Sequence, residues 1–314
     1  MTRQYSFKDC LQRAERITWR VEDLIGEGKQ LDFSRPFLPE SFARTGELDF
    51  LDADEKRTLN QIRVHTYLAM FGLVEEFILP FVLDHAQPLI IKPMISGDDY
   101  RARAFLAFAS EEAKHIHLFR RFRDEFVRGF GVRCDVIGPP EAIAAHVLAQ
   151  PALAVALLTL QIEWMTQRHF QDSVSDDGSL DPQFKNLLLH HWMEEHQHAQ
   201  LDAMMALAIA EKLSKAEIDA AIDAYLDLGA FFDAGLKQQT ELDLDALQRA
   251  SGRTLNPDER ARFLTLQHQA NRWTYLGSGM SHPRFLEVVG QLNPEKRAAI
   301  DAAARKLDAT IRRA

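Results

Sequence analysis

Two stretches, Glu111-Glu112-Ala113-Lys114-His115 and Glu194-Glu195-His196-Gln197-His198, decide the reading of this chain. Each contains Glu-x-x-His. Residues three apart on a helix lie about 60° apart around its axis, so Glu112 and His115 point to one side, as do Glu195 and His198. Each pair can grip one metal ion. A further carboxylate precedes each pair inside an apolar helical pattern: Glu75 or Glu76 before the first, Glu163 before the second. The order Glu, Glu-x-x-His, Glu, Glu-x-x-His is how four-helix bundles build carboxylate-bridged two-metal sites. With 12 His in 314 residues, a Glu has roughly a 4% chance of a His three places on, so about one accidental pair is expected. Two pairs, each in a long helical pattern and each with an upstream Glu, exceed that.

Around these stretches apolar residues recur at helical spacing, and no segment alternates with period two between hairpin turns. The chain therefore reads as all-α, a four-helix bundle with additional N- and C-terminal helices in a single domain. Residues 1–53 form an N-terminal cap, with an amphipathic helix over 6–27 that stops at Gly26 and Gly28 and then an irregular segment containing Pro36 and Pro39. Residues 54–212 form the bundle. Its first helix runs from about Asp54 to Leu79 or on past Pro80, which kinks it or ends it. The second starts near Asp98-Asp99 and ends at Gly129 and Gly131. A linker with Pro139-Pro140 and a short helix leads to Pro151, which opens the third, running to about Ser173. Asp181-Pro182 opens the fourth, which continues to about Lys212. Residues 213–314 are a helical extension with starts at Ser214-x-x-Glu217, Asn256-Pro257 and Asn293-Pro294, read as packing against the bundle or as a subunit contact.

The bulk numbers are those of an ordinary globular protein, with 46% hydrophobic and 26% charged residues. A net charge of -9 without a long basic tract argues against nucleic acid or an anionic membrane as partner. Cys10 and Cys134 are too few for a disulfide framework, which fits a reducing compartment. The N-terminus lacks a signal-peptide core, and the longest apolar run, Ala152 to Leu160, is far short of a membrane span. The expected location is cytoplasmic.

The helical wheel separates the candidates further. Glu75 shares its face with Val64, Leu68, Phe71, Ile78 and Val82, where a carboxylate without a partner is costly, and a metal supplies the partner. Glu76 faces His65, Ala69 and Gly72, a milder setting, so Glu75 is preferred and Glu76 stays open. Glu163 lies with the small residues Ala152, Ala156, Thr159 and Thr166, which leave room for a pocket or for close helix packing. Glu111 and Glu194 project about 100° from the ligand direction, either behind the ligands or into solvent. His117, His169, His190 and His196 read as ordinary helical histidines. His191 falls on the stripe of Glu195 and His198, so a third imidazole can reach the metals. Arg63 and Arg168 are candidates for an anionic substrate group, although inter-helix contacts are the commoner use of such residues.

The arrangement His191-x-x-x-Glu195-x-x-His198, with Glu163 and Glu112-x-x-His115, resembles the p-aminobenzoate N-oxygenase family of ferritin-like di-iron enzymes. The match covers the four core helices. It implies Glu75 (or Glu76), Glu112, His115, Glu163, His191, Glu195 and His198 as metal ligands, and oxidation of aryl amines through a peroxo intermediate on two irons, with Glu112, Glu195 and His191 closest to the chemistry.

Four carboxylates with two or three imidazoles make a hard, anionic site that suits two Fe ions, or Mn or a mixed Fe/Mn pair, better than a sulfur-rich zinc site. The functional expectation is an O2-dependent oxygenase or oxidase acting on a small organic substrate, and within it the resemblance implies N-oxygenation of an aryl amine. No nucleotide-binding Gly-x-Gly-x-x-Gly run is present, so electrons should come from an external donor or reductase. The protein is expected to be a monomer or homodimer. The alternative is a ferritin-like ferroxidase that handles iron, which should form a much larger assembly.

Overall fold

In a computed structural model, residues 5–90 and 99–309 are described; the expected start at Asp98 lies outside them. The helices in chain order are α1 (Phe7–Ala14), α2 (Val21–Leu24), α3 (Glu40–Ala43), α4 (Ala53–Ile90), α5 (Tyr100–Phe130), α6 (Pro140–Leu148), α7 (Ala152–His169), α8 (Pro182–Ala210), α9 (Lys215–Ser251), α10 (Pro257–Arg272), α11 (Ser278–Met280), α12 (Pro283–Leu292) and α13 (Pro294–Ala309). Helices α7 and α10 each continue into a π-helical turn, over Phe170–Val174 and Trp273–Gly277. Among the described residues there is no strand.

The termini of the long helices follow from their caps. Asp99 accepts from Ala102 N at 3.1 Å and Asp181 from Phe184 N at 2.6 Å, with Pro182 in the first turn. Ser214 and Glu217 form a reciprocal capping box, as do Asn256 and Glu259. Helix α5 stops because Gly131 takes a left-handed conformation, φ 73°.

One open choice is decided and one expectation fails. Helix α4 takes the longer of its two courses, past Pro80 and on through Pro88. A proline inside a helix costs about 3 kcal/mol, whereas burying one large apolar side chain contributes about 1.5–3 kcal/mol. Phe77, Ile78, Phe81 and Val82 around Pro80 are all buried, so packing outweighs the break. The single helix expected over 6–27 is two, α1 and α2, separated by an extended stretch. That stretch holds Ile17-Thr18-Trp19, where β-branched residues disfavour helix, and Arg20 N donates to Asp23 Oδ2 at 3.0 Å at the start of the second.

Four helices, α4, α5, α7 and α8, make the bundle, with α4 packed on α5, α7 on α8, and α5 on α8. Helices α1 and α2 lie over α5 and α8, while α9 packs across α4 and α7 on another face. Helix α4 is long and apolar enough to cross a membrane by composition, yet 61% of its most apolar window is buried inside the protein, where it carries Glu75 into the core. A separate apolar cluster, with Leu59 and Ile62 of α4 against Leu244, Leu247 and Phe263, ties the C-terminal helices to the start of α4.

Candidate metal centre

Each of the four bundle helices delivers acidic or imidazole side chains to one buried spot. Glu75, Glu112, His115, Glu163, His191, Glu195 and His198 are all 3% exposed or less, a burial that ionisable groups tolerate only with compensation. Six of them gather in two groups, Glu75/His115/His191/Glu195 and Glu112/His115/Glu195/His198. Glu163 stands in neither group but adjoins Glu195. Of Glu75 and Glu76, the structure brings Glu75 into the cluster, whereas Glu76 is partly exposed and pairs with Arg120 at 2.6 Å.

The spacing of donor atoms fits metal ions. His191 Nε2 lies 3.0 Å from Glu75 Oε1 and 2.7 Å from Glu195 Oε1. His115 Nδ1 lies 3.0 Å from Glu195 Oε1, and His198 Nδ1 lies 2.8 Å from Glu112 Oε1 and 3.2 Å from Glu195 Oε2. Neighbouring donors on one ion with bonds of about 2.1 Å sit about 3 Å apart. Glu195 presents Oε1 to His115 and His191 and Oε2 to His198, so it spans the two groups. Several of these atoms, among them both oxygens of Glu112, His115 Nδ1, Glu195 Oε1 and Glu163 Oε2, are buried without a hydrogen bond of proper geometry. Buried polar atoms left so cost about 1–3 kcal/mol each, and ions at the two centres would satisfy them. The donor set therefore fits a pair of hard divalent metals.

The imidazoles are held from behind by a crosswise lock. Glu194 of α8 accepts from His115 Nε2 of α5 at 2.9 Å, and Glu111 of α5 accepts from His198 Nε2 of α8 at 2.7 Å. This leaves Nδ1 of each ring facing the cluster and fixes its tautomer. Glu194 is in turn paired with Lys114, and Gln197 Nε2 donates to Glu111 at 3.2 Å. Of the two positions open for the leading glutamates, behind the ligands or in solvent, both take the first.

Without metal the cluster shares protons. Burial raises Glu112 and Glu163 well above the ordinary carboxyl range, with the neighbouring charges of Glu75 and Glu195 adding to the rise. Burial acts the same way on Glu75, but the adjoining Glu112 carboxyl and the imidazoles of His115 and His191 overcome it and hold the carboxyl down to about 2. Glu195 is also held low, since the charges of His191 and His198 outweigh its burial. Burial disfavours the charged imidazoles, yet Glu195 and the other carboxylates raise His115, His191 and His198 above their usual value.

Some participants escaped the sequence reading. Trp19 stacks on His115 with centroids 6.2 Å apart and planes 11° apart, and Lys114 Nζ lies 3.9 Å above the indole. The non-helical run Ile17-Thr18-Trp19 was the available signal. A surface groove of about 540 Å³ reaches Trp19, Lys114, Glu111 and Glu194. Asp202, one turn beyond His198, is fully buried beside Thr159, and burial pushes its carboxyl up to about 7. The small-residue face of Glu163 turns out to be packing: Thr159 is buried beside Asp202 of α8, and open space lies on the neighbouring face of α7. Arg63 is fully buried on Asn271 and Phe42 O, and Arg168 donates to Ser278 O and Ser281 Oγ at 2.7 and 2.8 Å. Both are taken up by inter-helix contacts.

No known protein-family model matches the chain, and no curated protein matches it. Among solved structures it is similar to a variant of an R2-like ligand-binding oxidase with an aerobically reconstituted Fe/Fe cofactor, at 17% identity over 86% of this chain and 93% of that chain, TM-score 0.46. Another variant of that oxidase, with an anaerobically reconstituted Mn/Fe cofactor, shows 16% identity over 86% of this chain and 94% of that chain, TM-score 0.46.

Proposed function

We propose that this chain is an O2-dependent oxidoreductase with a two-metal centre of iron, or of iron and manganese, acting on a small organic substrate. The observation that carries the reading is the convergence of buried carboxylates and imidazoles from four helices on two adjoining donor groups, with donor atoms 2.7–3.2 Å apart. Oxygen and imidazole donors without thiolate favour iron or manganese. Bound there, two such divalent ions would supply two electrons for the reduction of dioxygen, one each.

The residues of the chain hold and shield that centre. Glu75, Glu112, His115, His191, Glu195 and His198 would bind the ions, with Glu195 belonging to both donor groups and Glu163 adjoining Glu195. Glu111 and Glu194 keep His115 and His198 in the tautomer that presents Nδ1. Phe71, Phe108 and Phe119 lie against the imidazoles of His191 and His198 and keep bulk water from them. Turnover draws electrons from an external donor, and a cytoplasmic location agrees with that need.

Within this reading we infer oxygenation of an amine nitrogen on an aryl amine, on the support of His191-x-x-x-Glu195-x-x-His198. The test is to load anaerobic protein with two equivalents of Fe(II), mix it with O2 and follow the visible absorption, with and without 4-aminobenzoate or aniline. A transient band whose decay accelerates with an aryl amine, with an N-oxygenated product, supports the assignment. A band indifferent to amines refutes the substrate. Ferric iron that accumulates in a large assembly supports the iron-handling alternative.

A further inference from the structure

Behind the cluster, on the face of α4 and α7 that α9 covers, lies a cavity of about 30 Å³. Its wall adjoins the metal centre: Val74 precedes Glu75, Ile162 precedes Glu163, and the ring of Phe71 stands edge-on to His191 with centroids 5.9 Å apart. Leu158 of α7 and Leu236 of α9, neither of them next in sequence to a residue of the cluster, complete this part of the wall. Every lining side chain is hydrocarbon or thioether apart from the hydroxyl of Tyr275. Val74 and Tyr275 keep accessible surface, so the cavity is not sealed.

Size and polarity select the occupant. One water needs roughly 10–15 Å³ and two to four polar partners, while an apolar cavity of about 150 Å³ takes a benzene ring. About 30 Å³ admits two or three heavy atoms, not a ring, and the wall offers no set of polar partners for water. We propose that this cavity is a binding site for an apolar diatomic gas, dioxygen, held between α4 and α7 beside Glu75 and Glu163. The choice of dioxygen among small apolar molecules rests on the oxidase reading above; the gas site itself rests on the cavity. An aryl amine does not fit here, so the organic substrate approaches the centre from elsewhere.

Xenon is the probe for the full-length, metal-free protein, by ¹²⁹Xe NMR and by xenon-pressurised crystals. The expected result is one xenon between Val74, Leu158, Ile162 and Leu236. Leu158→Phe and Leu236→Phe, each filling the cavity, should weaken xenon binding at least tenfold while leaving the number of Co(II) ions bound unchanged. In the Fe(II)-loaded protein the same variants should lower the second-order rate constant with O2 at least fivefold. Xenon seated elsewhere, or absent from wild type, overturns the gas site without any variant having to fold. Filled variants that react with O2 at the wild-type rate overturn the dioxygen assignment. Wild-type iron protein inert to O2 removes the oxidase reading and dioxygen with it, while the xenon result still decides the cavity.

Discussion

Loading the metals must displace the protons that the buried cluster holds, and their number can be worked out. His115, His191 and His198 are raised above the ordinary imidazole value and so are protonated near pH 6.5. Glu112 and Glu163, raised well above the ordinary carboxyl value, hold their protons to higher pH than free carboxyls do. Glu75, at about 2, and Glu195, held low, carry none. Metal binding requires neutral imidazole and ionised carboxylate, so saturation with two ions releases about three protons per chain from His115, His191 and His198, and more where Glu112 and Glu163 still hold theirs. The logarithm of the overall association constant should then rise with pH by about as many units per pH unit as protons are released. The assay is anaerobic Co(II) or Fe(II) titration in a weakly buffered indicator, backed by calorimetry in buffers of different ionisation enthalpy. His191→Ala should release one proton fewer. Release of fewer than two protons would refute the reasoning, because the ions would then be bound by groups other than these seven.

Three further outcomes follow from particular contacts. Glu194→Gln and Glu111→Gln remove the carboxylates that orient His115 and His198 and should each weaken Co(II) affinity about 10–100-fold with little loss of helicity; unchanged affinity in equilibrium titration would deny the crosswise lock. Gly279→Ala places a Cβ 2.6 Å from the carbonyl oxygen of Gln161, two residues before Glu163, so urea unfolding should show a loss of about 1–3 kcal/mol. Asp233 accepts from Arg272 Nε at 2.6 Å and from His268 Nε2 at 2.9 Å, joining α9 to α10. Burial raises its carboxyl, but those bonds outweigh it and hold it below the usual value of 3.8. Its stabilisation is therefore present above that value and lost as pH falls through the lowered one. Asp233→Asn should cost about 1–3 kcal/mol at pH 7 and progressively less in acid; an equal cost at pH 2 would contradict the ion pair.

Much of this was legible in the chain because helical spacing carries directional information. Glu-x-x-His fixes which side a pair faces, and Ser214, Asn256 and Asp181 announce helix starts through caps that need only local sequence. The apolar face of Glu75 likewise placed it inward ahead of Glu76. What was left open or missed depended on energies summed over the tertiary fold. Pro80 stays helical because its flanking side chains are buried, which no local rule weighs. The partnership of Glu111 with His198 and of Glu194 with His115 requires knowing that α5 and α8 lie side by side. Trp19 was hidden by an amphipathic pattern that ran on across a break, and the cavity beside Val74 and Ile162 arises from how α9 packs on α4 and α7.

The central claim is that Glu195 joins two metal positions in one buried site. Its most direct test is the number of Fe(II) ions bound per chain under anaerobic equilibrium dialysis, in wild type and in Glu195→Gln. The account predicts two ions in wild type, and in the variant a weakening of both positions together with loss of their spectroscopic coupling. One ion or none in wild type, or two ions held at wild-type affinity by Glu195→Gln, would contradict it.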